Sequence, residues 1–174
     1  MTKITLKGSE IHTNGELPKV GASAPNFSLV DSALGDRSLN DFKAKRKILS
    51  IVPSLDTGVC ATSAKKFNAA ISKHPEITLL VISADLPFAQ KRFCELGNLK
   101  NLTVLSMMRN KDFAKNYGVL IQDGPLAGLC ARAIVVLDDK DKVVYTELVP
   151  EIAQEPNYDK ALQAAFKDTN YTQN

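Results

Sequence analysis

The sequence has 174 residues, which suits one domain with a buried core, and its 44% apolar and 24% charged residues are ordinary for a globular protein. The formal net charge of +3 comes from scattered charges, which does not favour nucleic-acid binding. No apolar run approaches the roughly 20 residues of a membrane-spanning helix, and the N-terminus lacks the apolar core of a signal peptide. We therefore expect a cytoplasmic protein that does not bind membranes.

The first twenty residues predict a β-hairpin, because apolar and polar residues alternate along them. Asn14-Gly15 is the predicted turn, since both residues tolerate positive φ. A short strand is predicted at 27–30 and a loop at 32–40. These segments precede the part of the chain in which the core strands are expected.

Two nearly continuous apolar runs, at 47–52 and 77–83, predict strands that are buried on both faces. Between them, Ala64, Phe67 and Ile71 recur at helical spacing. Strand, helix and strand in this order predict a βαβ unit with a right-handed crossover. An α/β fold follows from this pattern.

The remainder of the chain continues the alternation of helices and strands. The predicted elements are a helix at 87–97, a strand at 102–107, a short helix at 111–117, paired strands at 132–137 and 142–148, and a helix at 157–167. No linker or repeat interrupts this order. We therefore predict a single domain over residues 1–174, of which 1–20 form the hairpin and 168–174 a frayed tail.

The cysteines, Cys60, Cys94 and Cys130, are too few and odd in number for a disulfide scaffold. Structural disulfides are rare in a reducing cytoplasm, so a cysteine pair there is either inert or redox-active. The chain has no CxxC motif, and His12 and His74 are isolated in sequence from the cysteines and from each other. This pattern does not favour a zinc site.

The segment after the first core strand carries the candidate chemistry. Cys60 falls in the first turn of the predicted helix, where the positive end of the helix dipole stabilises a thiolate. Thr57 is predicted as the N-cap, with its hydroxyl accepting from an unpaired amide of that turn. Cys60 is therefore the candidate nucleophile.

Four motifs, in matching order, resemble a known family. Pro53, Thr57 and Cys60 match the Pro-x-x-x-Thr-x-x-Cys signature of the peroxiredoxins. The resemblance is specifically to the bacterial thiol peroxidases and extends from about residue 2 to residue 167. Its motifs are the stretches 52–60, 83–90, 92–94 and 123–133.

The resemblance implies an atypical 2-Cys peroxiredoxin with a thioredoxin-like fold, in which helices flank a central mixed sheet and an N-terminal β-hairpin is added. It implies a thioredoxin-dependent enzyme that reduces hydrogen peroxide and organic hydroperoxides to water and alcohols, in antioxidant defence. It further implies a homodimer and the absence of a metal or other cofactor.

The resemblance also implies roles for individual residues. Cys60 is expected to be the peroxidatic cysteine, which becomes a sulfenic acid, and Cys94 the resolving cysteine, which forms a disulfide with it in the same chain. Thr57 and Arg132 are expected to complete the peroxide pocket, and Pro53 to shield the thiolate from water. Fast reduction requires such donors, directed at the charge on the departing oxygen.

If Cys60 and Cys94 both lie on helices, their sulfurs need not touch in the reduced fold. A disulfide requires Cα atoms within about 7 Å, so we expect local unwinding at one or both cysteines. The resemblance implies no role for Cys130, which we expect to be packed in the core.

Alternatives remain open at this point. Arg132 lies in an apolar run and needs a partner, which in the simplest case is an acidic neighbour. Disulfide oxidoreductases of the same fold carry CxxC at the helix start, and Thr57 argues against that class. A glutathione-peroxidase-like enzyme would differ in its reductant, and a redox sensor or holdase would use Cys60 without catalytic turnover.

Overall fold

The computed structural model describes residues 1–42 and 45–167, so the expected frayed tail at 168–174 lies outside the described residues. Within these ranges no helix is long and apolar enough to span a membrane. The elements in chain order are β1 (Thr2–Leu6), β2 (Ser9–Thr13), β3 (Leu29–Val30), β4 (Asp36–Arg37), β5 (Arg46–Ile51), α1 (Gly58–Ala70), β6 (Ile77–Ser83), α2 (Pro87–Leu96), β7 (Leu102–Ser106), α3 (Asp112–Asn116), β8 (Ala133–Leu137), β9 (Val143–Leu148) and α4 (Tyr158–Phe166).

In the described part of the chain, seven strands form one mixed sheet in the order β4-β3-β7-β6-β5-β8-β9. Strands β5, β6 and β7 run parallel, and β8 is antiparallel to β5. Side chains of α1 and α4, such as Phe67 and Phe166, fill the apolar layer on one face of the sheet. Side chains of α3 and the N-terminal hairpin, such as Phe113 and Ile4, fill the layer on the other face. The predicted mixed sheet flanked by helices is confirmed.

The pairing of the central strands determines which loops meet. Because β5 and β6 are parallel, their carboxyl ends, Ile51 and Ser83, lie at the same edge of the sheet. Ile51 also pairs with Ala133, the first residue of the antiparallel strand β8. The loops after β5 and β6 and the segment before β8 therefore converge at one edge.

The predicted turn of the hairpin at Asn14-Gly15 is wrong. Strands β1 and β2 are joined by Lys7-Gly8, whose φ angles of 49° and 83° suit a two-residue hairpin turn. In this register Ile4 lies opposite Ile11, and both side chains are buried. Core burial of these two residues fixes the register, which a turn at Asn14-Gly15 would not allow.

The region before the first core strand also differs in detail from the prediction. The expected strand at 27–30 contains only Leu29–Val30, and the expected loop at 32–40 contains Asp36–Arg37, which pairs with it. A 3₁₀ turn follows at Leu39–Phe42. Such two-residue strands leave no periodicity long enough to detect in the sequence.

Candidate active site

Cys60 lies in the first turn of α1, at the edge of the sheet where the three segments converge. Its side chain is fully buried and belongs to the apolar layer that contains Val52 and Leu55. Pro53, at the start of the loop between β5 and α1, is also buried. The candidate nucleophile is therefore buried at this edge of the sheet, in the same apolar layer as residues of the loop that precedes it.

Arg132, immediately before β8, contacts the sulfur of Cys60. Its Nη1 donates a hydrogen bond to Cys60 Sγ at 3.1 Å, and its Nε donates to the Ile152 carbonyl at 2.8 Å. The side chain of Arg132 is only 3% exposed. Since a buried cation acts in a low local dielectric, this guanidinium can stabilise negative charge that develops at the sulfur or at an atom bound to it. Its hydrogen-bond partners are thus a thiol and a carbonyl, rather than the carboxylate of the simplest expectation.

Thr57 is the N-cap residue of α1, but the predicted capping hydrogen bond is wrong. Within the described residues its side chain accepts from no amide of the helix. Its hydroxyl instead donates to the carbonyl of Ser54 at 3.0 Å, because the loop brings that carbonyl to the hydroxyl. The first-turn amides have no intrahelical acceptors, so both they and the oxygen lone pairs of Thr57 are available to a ligand.

Cys94 lies on α2 and is partly buried. Burial, together with the charge of Glu95, raises the pKa of its thiol to about 11. Cys94 lines a cavity of about 570 Å³ on the flank of α2 that also carries Lys91 and Glu95. A second cavity, of about 500 Å³, separates the opposite flank of α2, at Phe93, from the loop that precedes Cys60. Cys94 therefore does not face the Cys60 loop.

Cys130 is fully buried on the opposite face of the sheet from Cys60. Its thiol donates to the Met107 thioether at 3.5 Å, and burial raises its pKa to about 12. Strand β8 begins at Ala133, one residue after its predicted start, so Cys130 and Arg132 both lie in the segment before it. All three cysteines are described, and all are free thiols.

A polar network under the Cys60 loop was not predicted from the sequence. The Asp85 carboxylate accepts hydrogen bonds from the hydroxyls of Ser54 and Ser83 and from the amide of Leu55. Gln90, on α2, donates to the hydroxyl of Ser83. The sequence feature that could have indicated this network is the polar pair Ser83 and Asp85, at the carboxyl end of an apolar strand.

A second unpredicted cluster lies beside α1. The Tyr158 hydroxyl is 2.9 Å from the hydroxyl of Ser63, which lies three residues after Cys60, and it donates to Glu155 at 2.9 Å. Hydrogen bonds from Tyr158 and Lys66 lower the pKa of Glu155, with a smaller contribution from the charge of Arg132. This cluster connects the start of α4 to the helix that carries Cys60.

Residues 19–162 match the Redoxin family. A thiol peroxidase from Mycobacterium bovis is 52% identical over 164 residues, covering 94% of this chain and 98% of that protein. The crystal structure of a peroxiredoxin-like protein from Aquifex aeolicus is similar with a TM-score of 0.90 and 42% identity, covering 96% of this chain and 97% of that one. A thiol peroxidase from Chromobacterium violaceum is similar with a TM-score of 0.87 and 27% identity, covering 96% and 98%.

Proposed function

Because the chain belongs to the thiol peroxidases of the Redoxin family, we propose that it reduces hydrogen peroxide and organic hydroperoxides through Cys60 and Cys94. A thiol-based peroxidase activity is the chemistry of this family. The assignment of Cys60 as the attacking sulfur rests on one observation, the 3.1 Å hydrogen bond from the buried Arg132 guanidinium to Cys60 Sγ.

In the first step the Cys60 thiolate attacks one peroxide oxygen, so an S–O bond forms as the O–O bond breaks. The sulfur is oxidised to a sulfenic acid, and the departing oxygen takes a proton and leaves as water or an alcohol. Arg132 and the first-turn amides stabilise the developing negative charge. The Thr57 hydroxyl, whose proton is donated to Ser54, accepts from the peroxide O–H. Pro53, buried beside the site, excludes water.

In the second step the Cys94 thiol attacks the sulfenic sulfur, forming an intramolecular disulfide and releasing water. This condensation protects Cys60 from further oxidation to the sulfinic acid. A thioredoxin then attacks the disulfide and restores both thiols by exchange. Since Cys94 faces away from the Cys60 loop, local unwinding precedes disulfide formation.

We further propose a cytoplasmic homodimer that acts in antioxidant defence. A reducing compartment supplies the thioredoxin on which turnover depends. The apolar side chains of Leu86, Phe88 and Leu96, at 53%, 64% and 78% exposure, offer a surface on and beside α2 for a second copy of the chain. Light scattering of the reduced protein tests the oligomeric state.

Peptide mapping tests the roles of the cysteines. The reduced protein is treated with one equivalent of cumene hydroperoxide, quenched in acid and mapped by mass spectrometry. We expect a disulfide between Cys60 and Cys94 within one chain, with Cys130 free. A disulfide between Cys60 and Cys130 would assign the resolving role to Cys130 instead of Cys94. Slow oxidation of all three thiols would contradict the proposal.

Turnover with thioredoxin separates the peroxidase from a redox sensor or holdase. A peroxidase consumes many equivalents of peroxide per chain while thioredoxin is kept reduced. A sensor that uses Cys60 only as a signal reacts once and stops. Replacing thioredoxin with glutathione in the same assay distinguishes a glutathione-peroxidase-like enzyme.

A further inference from the structure

The Asp85 carboxylate holds the loop that precedes Cys60. Its Oδ1 accepts from the Ser54 hydroxyl at 2.6 Å, and its Oδ2 accepts from the Leu55 amide at 2.7 Å. Ser54 in turn accepts the Thr57 hydroxyl through its backbone carbonyl. A continuous chain of contacts therefore leads from Asp85 to the N-cap of the helix that carries Cys60.

The same carboxylate is connected to the helix that carries Cys94. Asp85 Oδ2 also accepts from the Ser83 hydroxyl at 2.7 Å, and the Ser83 hydroxyl accepts from Gln90 Nε2 at 3.0 Å. Gln90 is fully buried and lies four residues before Cys94 on α2. Its Oε1 is buried and has no hydrogen-bond partner among the described residues.

We propose that Asp85 is a positioning residue that holds the Cys60 loop in its peroxide-reactive conformation and couples the release of that loop to the release of α2. The proposal rests on the proposed function, since it gives Asp85 a role between the oxidation of Cys60 by peroxide and the condensation of the Cys60 sulfenic acid with Cys94. One network, buried at Ser83 and Gln90 and partly buried at Asp85, joins the two segments that must separate from the fold before Cys60 and Cys94 can meet. Both segments therefore lose hydrogen bonds when the network opens.

The network favours the folded conformation without making it rigid. A carboxylate that accepts three hydrogen bonds is a strong partner for the loop, because charge-assisted hydrogen bonds are stronger than neutral ones. The unsatisfied Gln90 oxygen works in the opposite direction, since it gains a hydrogen bond to water when α2 opens. The folded conformation is thus held chiefly at Asp85.

Asp85→Asn tests this role, because asparagine keeps the volume but loses the charge and one acceptor oxygen. We expect the first step, oxidation of Cys60 by peroxide, to slow at least about 10-fold. We expect the second step, condensation of the Cys60 sulfenic acid with the Cys94 thiol, to accelerate several-fold. Sulfinic acid formed per turnover should fall accordingly.

The two steps are measured separately by acid quench and intact mass. A Cys94→Ser background isolates the oxidation of Cys60, and the chain with Cys94 intact gives the rate of disulfide formation. Asp138→Asn is the matched control, because Asp138 accepts from the amides of Lys140 and Lys142 in a turn at the opposite edge of the sheet. Opposite changes in the two steps, absent in the control, support the proposal. Slowing of both steps together, or no change in either, overturns it.

Amide hydrogen exchange of the reduced protein tests the coupling without any peroxide. We expect Asp85→Asn to increase exchange at least about 10-fold both at Leu55 and along α2, while Asp138→Asn changes neither. An increase at Leu55 alone overturns the coupling. This measurement stands even if the wild-type chain does not react with peroxide, an outcome that would instead contradict the proposed function.

Discussion

Cys60 and Cys130 are both fully buried thiols, and they lie on opposite faces of the same sheet. Their hydrogen-bond partners differ: a guanidinium nitrogen lies 3.1 Å from Cys60 Sγ, whereas a thioether sulfur lies 3.5 Å from Cys130 Sγ. Cys60 also occupies the first turn of a helix, whereas Cys130 lies in the segment before a strand. Burial alone therefore does not distinguish the proposed peroxidatic cysteine from a cysteine packed in the core.

The difference follows from position in the fold. Cys130 is surrounded by the apolar layer, where burial raises the pKa of its thiol to about 12 and so disfavours the thiolate at pH 7. Cys60 lies at the edge where loops converge, so a cation and unpaired amides can reach it. In the interior of the layer the charge of Lys111 lowers the pKa of Cys130, but burial outweighs this effect.

Substituting the two cysteines in turn gives the largest expected contrast. Cys60→Ser should lower thioredoxin-dependent peroxide turnover by on the order of 10⁴-fold or more, because no other side chain replaces the nucleophile. Cys130→Ala, the matched variant in the other layer, should stay within about twofold of wild type. Comparable losses of peroxide turnover in both variants would contradict the assignment of Cys60 rather than Cys130 as the nucleophile.

Loss of the Arg132 guanidinium should have the next largest effect. Arg132→Met should slow the reaction of Cys60 with peroxide by about 10²- to 10³-fold, the usual effect of removing one electrostatic donor. Arg132→Lys should recover part of the loss, because it keeps a charge but loses the planar geometry. Arg46→Met is the control, since the Arg46 guanidinium also donates hydrogen bonds within the fold, but to two carbonyls at the opposite end of β5. Equal rates for the two methionine variants would argue against an electrostatic role.

The pH dependence of disulfide formation tests a third environment, that of Cys94. Its pKa is about 11 in the folded helix, against an ordinary value of 9.0. The rate should rise about tenfold per pH unit and level off near pH 9, because attack follows unwinding and the released thiol has its ordinary pKa. A rise that continues toward pH 11 would mean that the intact helix reacts. Rapid quench of the sulfenic acid formed by one equivalent of peroxide gives these rates.

The smallest expected effect concerns stability. Cys130→Ala removes one packed sulfur and should lower the free energy of unfolding by about 1 kcal/mol, as small core truncations do. Denaturant unfolding of the reduced protein at pH 7 measures it. A loss several times larger would indicate that the contact with Met107 contributes more than packing.

The sequence predicted the core strands and main helices well, because their patterns are long. Ile77–Ser83 was predicted to the residue, since a continuous apolar run bounded by polar residues has few alternatives. The turn of the hairpin was placed wrongly, because two glycine-containing pairs compete locally. The burial of Ile4 against Ile11 decides between them, and that contact is not visible in a local pattern.

The candidate site was predicted only as separate residues. The motifs named Cys60, Thr57 and Arg132, but the direction of the Thr57 hydroxyl depends on the path of the loop. The Asp85 network depends on two parallel strands ending at the same edge, which brings together residues about thirty positions apart. Pairing of strands is a long-range property, so such contacts become visible only in the fold.

The separation of Arg132 from Cys60 also has a consequence during synthesis. The two residues are 72 positions apart, and β8 joins β5 only after both have been made. At about 5 to 20 residues per second, Cys60 leads Arg132 by roughly 4 to 14 s. During that interval the nascent chain carries Cys60 without the guanidinium that contacts its sulfur in the completed fold, so under the proposed mechanism the unfinished chain should react more slowly with peroxide.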